Sequence, residues 1–91
     1  EEYVVGGPLC ESGDIFTQTG DGFVVHVKLP QVRVGDYLVI GVAGAYGFSM
    51  SSNYNSKPLA AEVLIVDGRP HLVRARQTLE DLVRGENIPA S

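Results

Sequence analysis

Apolar and polar residues alternate with period two in part of this chain, the pattern of short, half-covered strands, and other stretches are apolar or β-branched runs bounded by turn residues. Glu2-Tyr3-Val4-Val5 is a β-branched stretch stopped by Gly6-Gly7-Pro8. Over residues 23–28, Phe23, Val25 and Val27 share one face and Val24, His26 and Lys28 the other, and Pro30 ends the segment because it has no N–H to give a ladder. Residues 37–42 are an unbroken apolar run, which predicts a central strand covered on both faces. Residues 59–66 and 69–75 form two more strand candidates, with Asp67-Gly68 between them. That dipeptide suits a type I′ hairpin turn, which needs positive φ at both central positions.

Three stretches break the pattern. Residues 9–14 form a polar loop, and Thr19-Gly20-Asp21-Gly22 is turn chemistry. Residues 43–58, AGAYGFSMSSNYNSKP, follow neither period and read as a long ordered loop or a short irregular turn of helix. Long loops inside compact domains are usually functional. Near the end the period changes: Thr78 can cap a short helix with Asp81 reaching back, Leu79, Leu82 and Val83 share a face, and Gly85 ends it. Residues 86–91 read as a frayed tail. The expectation is a mainly β domain of five or six strands with one short C-terminal helix and no internal repeat. Open sheet edges are a liability, so they are expected to be completed by a further segment or another subunit. The first residues already read as a strand, and the chain is therefore expected to be a piece of something longer.

Composition narrows the classes. Ninety-one residues make one small domain, with 44% hydrophobic and 20% charged residues. A net charge of −4 and no run of Lys or Arg longer than one residue argue against a nucleic-acid surface. The longest apolar run, residues 37–48, is too short to span a bilayer. The single cysteine excludes an internal disulfide framework and a Cys-based zinc site, and fits a reducing compartment.

Most local patterns carry no chemistry. Gly47-Phe48-Ser49-Met50-Ser51 lacks the second glycine of a nucleophile elbow, and His26 and His71 lie in strand patterns with no acid partner in sight. Glycines 41, 44 and 47 are not followed by the Lys-Ser/Thr of a phosphate loop, and Glu11, Asp14, Asp21 and Asp36 lack calcium-loop spacing. Cys10 is different: it is flanked by Glu11 and Ser12 rather than by apolar residues. An adjacent anion disfavours the thiolate, so Cys10 suits a proton donor better than a resting nucleophile. The plainer alternative is a loop with an incidental thiol.

Read together, two motifs resemble a known family. Gly7-Pro8-Leu9-Cys10-Glu11-Ser12-Gly13-Asp14, then Ala43-Gly44-Ala45-Tyr46-Gly47-Phe48-Ser49-Met50-Ser51-Ser52-Asn53-Tyr54-Asn55-Ser56-Lys57-Pro58, are similar to the diaminopimelate decarboxylase family. Arg74-Ala75-Arg76-Gln77-Thr78-Leu79-Glu80-Asp81-Leu82 fits the same family's closing stretch. The resemblance implies an alanine-racemase-like, pyridoxal-phosphate-dependent decarboxylase. In that class a (β/α)8 barrel carries the cofactor lysine and a Greek-key-like β-sandwich or barrel packs beside it. Residues 1–91 would then be a single C-terminal β-domain whose barrel lies outside this chain, inactive by itself. The full protein would be a cytoplasmic homodimer with active sites at the subunit interface, converting meso-2,6-diaminopimelate to L-lysine and carbon dioxide.

The same resemblance assigns roles. Cys10 would protonate Cα after carbon dioxide leaves, Glu11 would contact the substrate, and Tyr46 would bond the cofactor phosphate and lie near substrate. Gly44, Ala45 and Gly47 would let backbone approach closely. Each has a plainer alternative: Glu11 could cap a turn, and Tyr46 could be a half-buried core tyrosine. Ser12 and Asp14 are expected to shape their loop, and Asn53, Tyr54 and Asn55 to hold theirs or line an interface. The rival functions are a related decarboxylase acting on ornithine or arginine, whose members tend to carry Cys-Asp at the Cys10-Glu11 position, and a non-catalytic β-binding module. No metal, nucleic acid or membrane is expected as a partner.

Overall fold

The computed structural model describes residues 1–90 and divides into two compact units, Glu1–Gly41 and a second beginning at Val42. It is mainly β, with two antiparallel two-stranded sheets and one short helix near the C-terminus. Its strands are fewer and shorter than the alternation predicts.

In the first unit, β1 (Glu2–Tyr3) pairs antiparallel with β2 (Val27–Lys28), placing Glu2 opposite Lys28 and Tyr3 opposite Val27. The Leu29 N–H extends this ladder to the Glu1 carbonyl at 3.0 Å. Isolated bridges join Gly6 to Ile15 and Gln18 to Val24. The Tyr3 hydroxyl accepts from the Val32 N–H and donates to the Glu1 carboxylate, both at 2.9 Å. Tyr3, Val5, Gly7 and Leu9 are half-buried while the residues between them are exposed, so period two is realised along this stretch.

One expected strand is absent. Residues 37–40 carry no regular structure, and Val42 has a φ of +53°, a value that extended backbone does not take. Tyr37 is 94% exposed and Val39 91%. An apolar run reports a demand for burial, whereas a strand also needs a ladder partner, and no described residue supplies one here.

The second unit is built on local chemistry that the sequence states directly. β3 (Glu62–Val66) and β4 (Arg69–Arg74) form a hairpin in which Val66 faces Arg69, Ile65 faces Pro70 and Leu64 faces His71. Asp67 and Gly68 at its tip have φ of +49° and +75°, the pair of positive values a type I′ turn requires. A register shift at Glu62/Val63 brings Glu62 opposite Arg74. Then α1 (Leu79–Val83) opens with a complete capping box between Thr78 and Asp81 and gives way at Gly85, whose φ is +89°.

No described side chain is fully buried. Apolar residues in both units, among them Phe23 in the first and Leu72 in the second, are largely exposed. Soluble monomers rarely show apolar surface on this scale.

Candidate functional site

The first candidate loop is closed at its base by backbone. The Gly7 N–H donates to the Asp14 carbonyl at 2.9 Å, and the Phe16 N–H to the Val5 carbonyl at 2.8 Å. Inside that closure the Asp14 carboxylate accepts from the Leu9 N–H at 2.9 Å. Gly7 leaves room for the same carboxylate, since a Cβ built there would overlap it and force the Asp14 side chain to move. Asp14 therefore shapes the loop, as its residue type leads one to expect.

Cys10 lies exposed in this loop, immediately after the braced Leu9. Glu11 turns the chain back: its carboxylate accepts from the Gly13 N–H at 3.0 Å and its carbonyl from the Asp14 N–H at 3.1 Å. The turn-capping alternative for Glu11 is thus realised. Neither His26 nor His71 forms an ion pair among the described residues, and His71 stands in β4 opposite Leu64.

The second candidate loop, residues 43–58, is a series of tight turns. Gly47 N–H donates to the Gly44 carbonyl at 3.2 Å, Met50 to Tyr46 at 3.0 Å and Ser51 to Phe48 at 2.9 Å. A 3₁₀ turn follows at Tyr54–Ser56. The two alternatives for this stretch, a long ordered loop and a short irregular turn of helix, are both met in part: a loop of tight turns that contains one 3₁₀ turn. At Gly47 a Cβ would come within 3.1 Å of the Ala43 carbonyl, so a glycine serves the turn itself, while Gly44 has open space around it. Tyr46 is 71% exposed, and its hydroxyl has no hydrogen-bond partner among the described residues. It is not a half-buried core tyrosine.

Two long-range tethers hold this loop, and local sequence reading misses both. The Arg74 guanidinium stacks over the Phe48 ring, 3.7 Å from its centroid, and pairs with the Glu62 carboxylate at 2.7 Å. The Asn53 side-chain amide donates to the Gln77 Oε1 at 2.6 Å and to the Lys57 carbonyl at 3.0 Å. Asn53 therefore holds the loop, one of its two expected uses. Counting register from Asp67-Gly68 puts Glu62 opposite Val73, and only the shift at Glu62/Val63 creates the opposite-charge cross-strand pair with Arg74. No such count reaches Phe48 or Asn53. Phe48, Leu59, Arg74, Gln77, Asp81 and Arg84 line an open cleft of about 340 Å³.

Beside that cleft the Asp81 carboxyl is held below the usual carboxylate range, chiefly by the Thr78 backbone N–H and next by Arg84 at 2.6 Å. The structure places Cys10 and Glu11 together in the first unit and Tyr46 in the second.

Comparison with known proteins adds three findings. Residues 1–44 match the family described as pyridoxal-dependent decarboxylase, C-terminal sheet domain. Diaminopimelate decarboxylase of Escherichia coli (strain K12) is 60% identical over 82 residues, which are 90% of this chain and 20% of that protein. The Methanothermobacter thermautotrophicus protein of the same name is 49% identical over 90 residues, 99% of this chain and 19% of that protein. A crystal structure of diaminopimelate decarboxylase matches with a TM-score of 0.88 and 59% identity, covering 91% of this chain and 20% of that one. The chain spans about a fifth of the length of the curated relatives it matches.

Proposed function

We propose that this chain, whose residues 1–44 match the C-terminal sheet domain of the pyridoxal-dependent decarboxylases and which is 60% identical to a diaminopimelate decarboxylase over 82 residues, completes the active site of such an enzyme. The reaction is conversion of meso-2,6-diaminopimelate to L-lysine and carbon dioxide, in the cytoplasm and as a step of lysine biosynthesis. The observation that carries this reading is the 60% identity sustained over 90% of the chain. Residues 1–91 are then one C-terminal β-domain, and the barrel with the cofactor lysine belongs to the rest of the polypeptide. The exposed apolar residues of both units suit cover by that barrel and by a second subunit.

Pyridoxal phosphate, when bound, withdraws electrons from Cα so that the carboxylate can depart. The residues present fit such a group. Tyr46 offers an exposed hydroxyl that no described residue occupies, a donor suited to a phosphate oxygen. Cys10, exposed in a braced loop, delivers its thiol proton to Cα once the carboxylate has left. Glu11 binds a substrate ammonium through its carboxylate while that same group fixes the turn that presents Cys10. Positioned proton transfer of this kind is worth about 10²–10⁴ in rate.

The test is carbon dioxide release by the full-length enzyme with pyridoxal phosphate, offered meso-diaminopimelate, ornithine and arginine. Lysine formed from diaminopimelate alone, with a Cys10→Ala variant slowed by about 10² or more, is the expected result. Full activity in Cys10→Ala removes the thiol from the reaction. Turnover of ornithine or arginine only overturns the substrate assignment, and no turnover of any of them favours the binding module.

A further inference from the structure

The hydrogen bonds inside residues 43–51 each span no more than four positions, so they shape the turns without fixing where those turns sit. Placement comes from elsewhere. The Phe48 ring lies against the Arg74 guanidinium, which Glu62 holds in turn through a 2.7 Å ion pair. Downstream, the Gln77 Oε1 accepts from Asn53 at 2.6 Å and from the Leu59 N–H at 2.8 Å, while the Gln77 N–H donates to the Leu59 carbonyl at 3.1 Å. A single amide side chain thus ties both the end of the loop and the start of the following segment to the residues after β4. Tyr46 stands two positions before Phe48, with its carbonyl bonded to the Met50 N–H, so a shift of Phe48 moves the tyrosine.

We infer that Arg74 and Gln77 are positioning residues, which together fix the loop presenting Tyr46 and thereby set how tightly the phosphate end of the cofactor is held. This rests on the role proposed above for Tyr46. The two act by different chemistry. Arg74 offers a flat cation that stacks on a ring and pairs with a carboxylate at once, whereas lysine can keep the pair and loses the stack. Gln77 works as an acceptor, so a glutamate keeps its function and a leucine leaves the Leu59 N–H unpaired.

The experiment uses the full-length enzyme and the variants Arg74→Lys, Gln77→Leu, Gln77→Glu and Tyr46→Phe. Hydrogen exchange of residues 43–58 reports loop placement, and pyridoxal phosphate titrated into apoenzyme, followed by cofactor absorbance, reports binding. Arg74→Lys and Gln77→Leu are expected to speed exchange at Gly47, Met50 and Ser51 and to weaken cofactor binding about three- to thirtyfold. Gln77→Glu should match the wild type on both. In a Tyr46→Phe background, Arg74→Lys should add less than about twofold, because residues acting through one group are not additive. Unchanged exchange in both variants overturns the inference, and so does full additivity with Tyr46→Phe. If Tyr46→Phe itself leaves cofactor binding intact, the role of Tyr46 falls and the cofactor half of the inference falls with it, while exchange still decides whether the two residues hold the loop.

Discussion

The carboxylate of Asp14 accepts the Leu9 N–H at 2.9 Å, and this one bond braces the loop on the side of its only thiol. Cys10 follows Leu9 directly, so the reach of its sulfur is set by a residue four positions away that does no chemistry itself. Asp14→Ala is expected to cost about 1.5–3 kcal/mol of stability, the range of a hydrogen bond to a charged group. It should also lower turnover of the full enzyme. Asp14→Asn keeps an acceptor oxygen and should retain most of both. Denaturation midpoints and steady-state rates of the two variants check this.

Glu11 caps its turn, and substitution can separate that job from the substrate contact proposed for it. Glu11→Gln preserves an oxygen for the Gly13 N–H and removes the negative charge. The expected result is a KM for diaminopimelate raised about tenfold or more, as loss of one charge-assisted contact implies, with cofactor affinity unchanged. Glu11→Ala loses the turn as well and should lower kcat in addition. An equal KM in Glu11→Gln and wild type would leave Glu11 as a turn cap only.

The hairpin tip gives a stability prediction. Gly68 has a φ of +75°, where an L-residue with a Cβ pays roughly 1–2 kcal/mol. Gly68→Ala should therefore lower the thermal midpoint of the full-length enzyme, whereas Asp67→Asn, which tolerates the left-handed region, should leave it nearly unchanged.

Asp81 predicts an acid limit for the C-terminal cap. Its folded value lies below the ordinary 3.8, first because of the Thr78 backbone N–H and then because of Arg84. A depressed carboxylate stabilises the folded form above the unfolded value, and that contribution disappears as pH falls through the lowered one. The Thr78 amide resonance should thus stay at its capped position down to below pH 3.8 and move only in stronger acid. Asp81→Asn should abolish that titration.

The parts of the fold that could be read in advance are those decided within a few residues. Asp67-Gly68, the Thr78–Asp81 box and Gly85 state their own φ values and bonds, and all three are observed. Residues 37–42 misled because apolarity marks a wish to be covered and says nothing of what covers it. Within the second loop, turn and 3₁₀ content followed from small and polar residues, but the grip of Arg74 on Phe48 and of Gln77 on Asn53 joins residues 26 and 24 positions apart. Period and propensity do not span such distances. Cys10 stood out through its polar neighbours Glu11 and Ser12 and Tyr46 through motif resemblance, and their exposure is a structural fact that alternation alone would not provide.

The hairpin register carries a consequence for self-association. Hydrogen-bonded and non-bonded pairs alternate along an antiparallel ladder, and the residues flanking a two-residue turn are bonded. Val66 and Arg69 flank the turn, so Ile65 and Pro70 form the next, non-bonded pair, and the nitrogen of Pro70 points away from β3. That outward position is where another chain's carbonyl would seek an N–H, and proline has none to give. With Glu62 and Asp67 bounding the apolar run Val63-Leu64-Ile65-Val66, the segment best suited to stacking into fibrils is flanked by charge and missing a donor on its partner's free side. Pro70→Val would restore the donor and lengthen the β-branched surface, turning the hairpin into a template for its own copies.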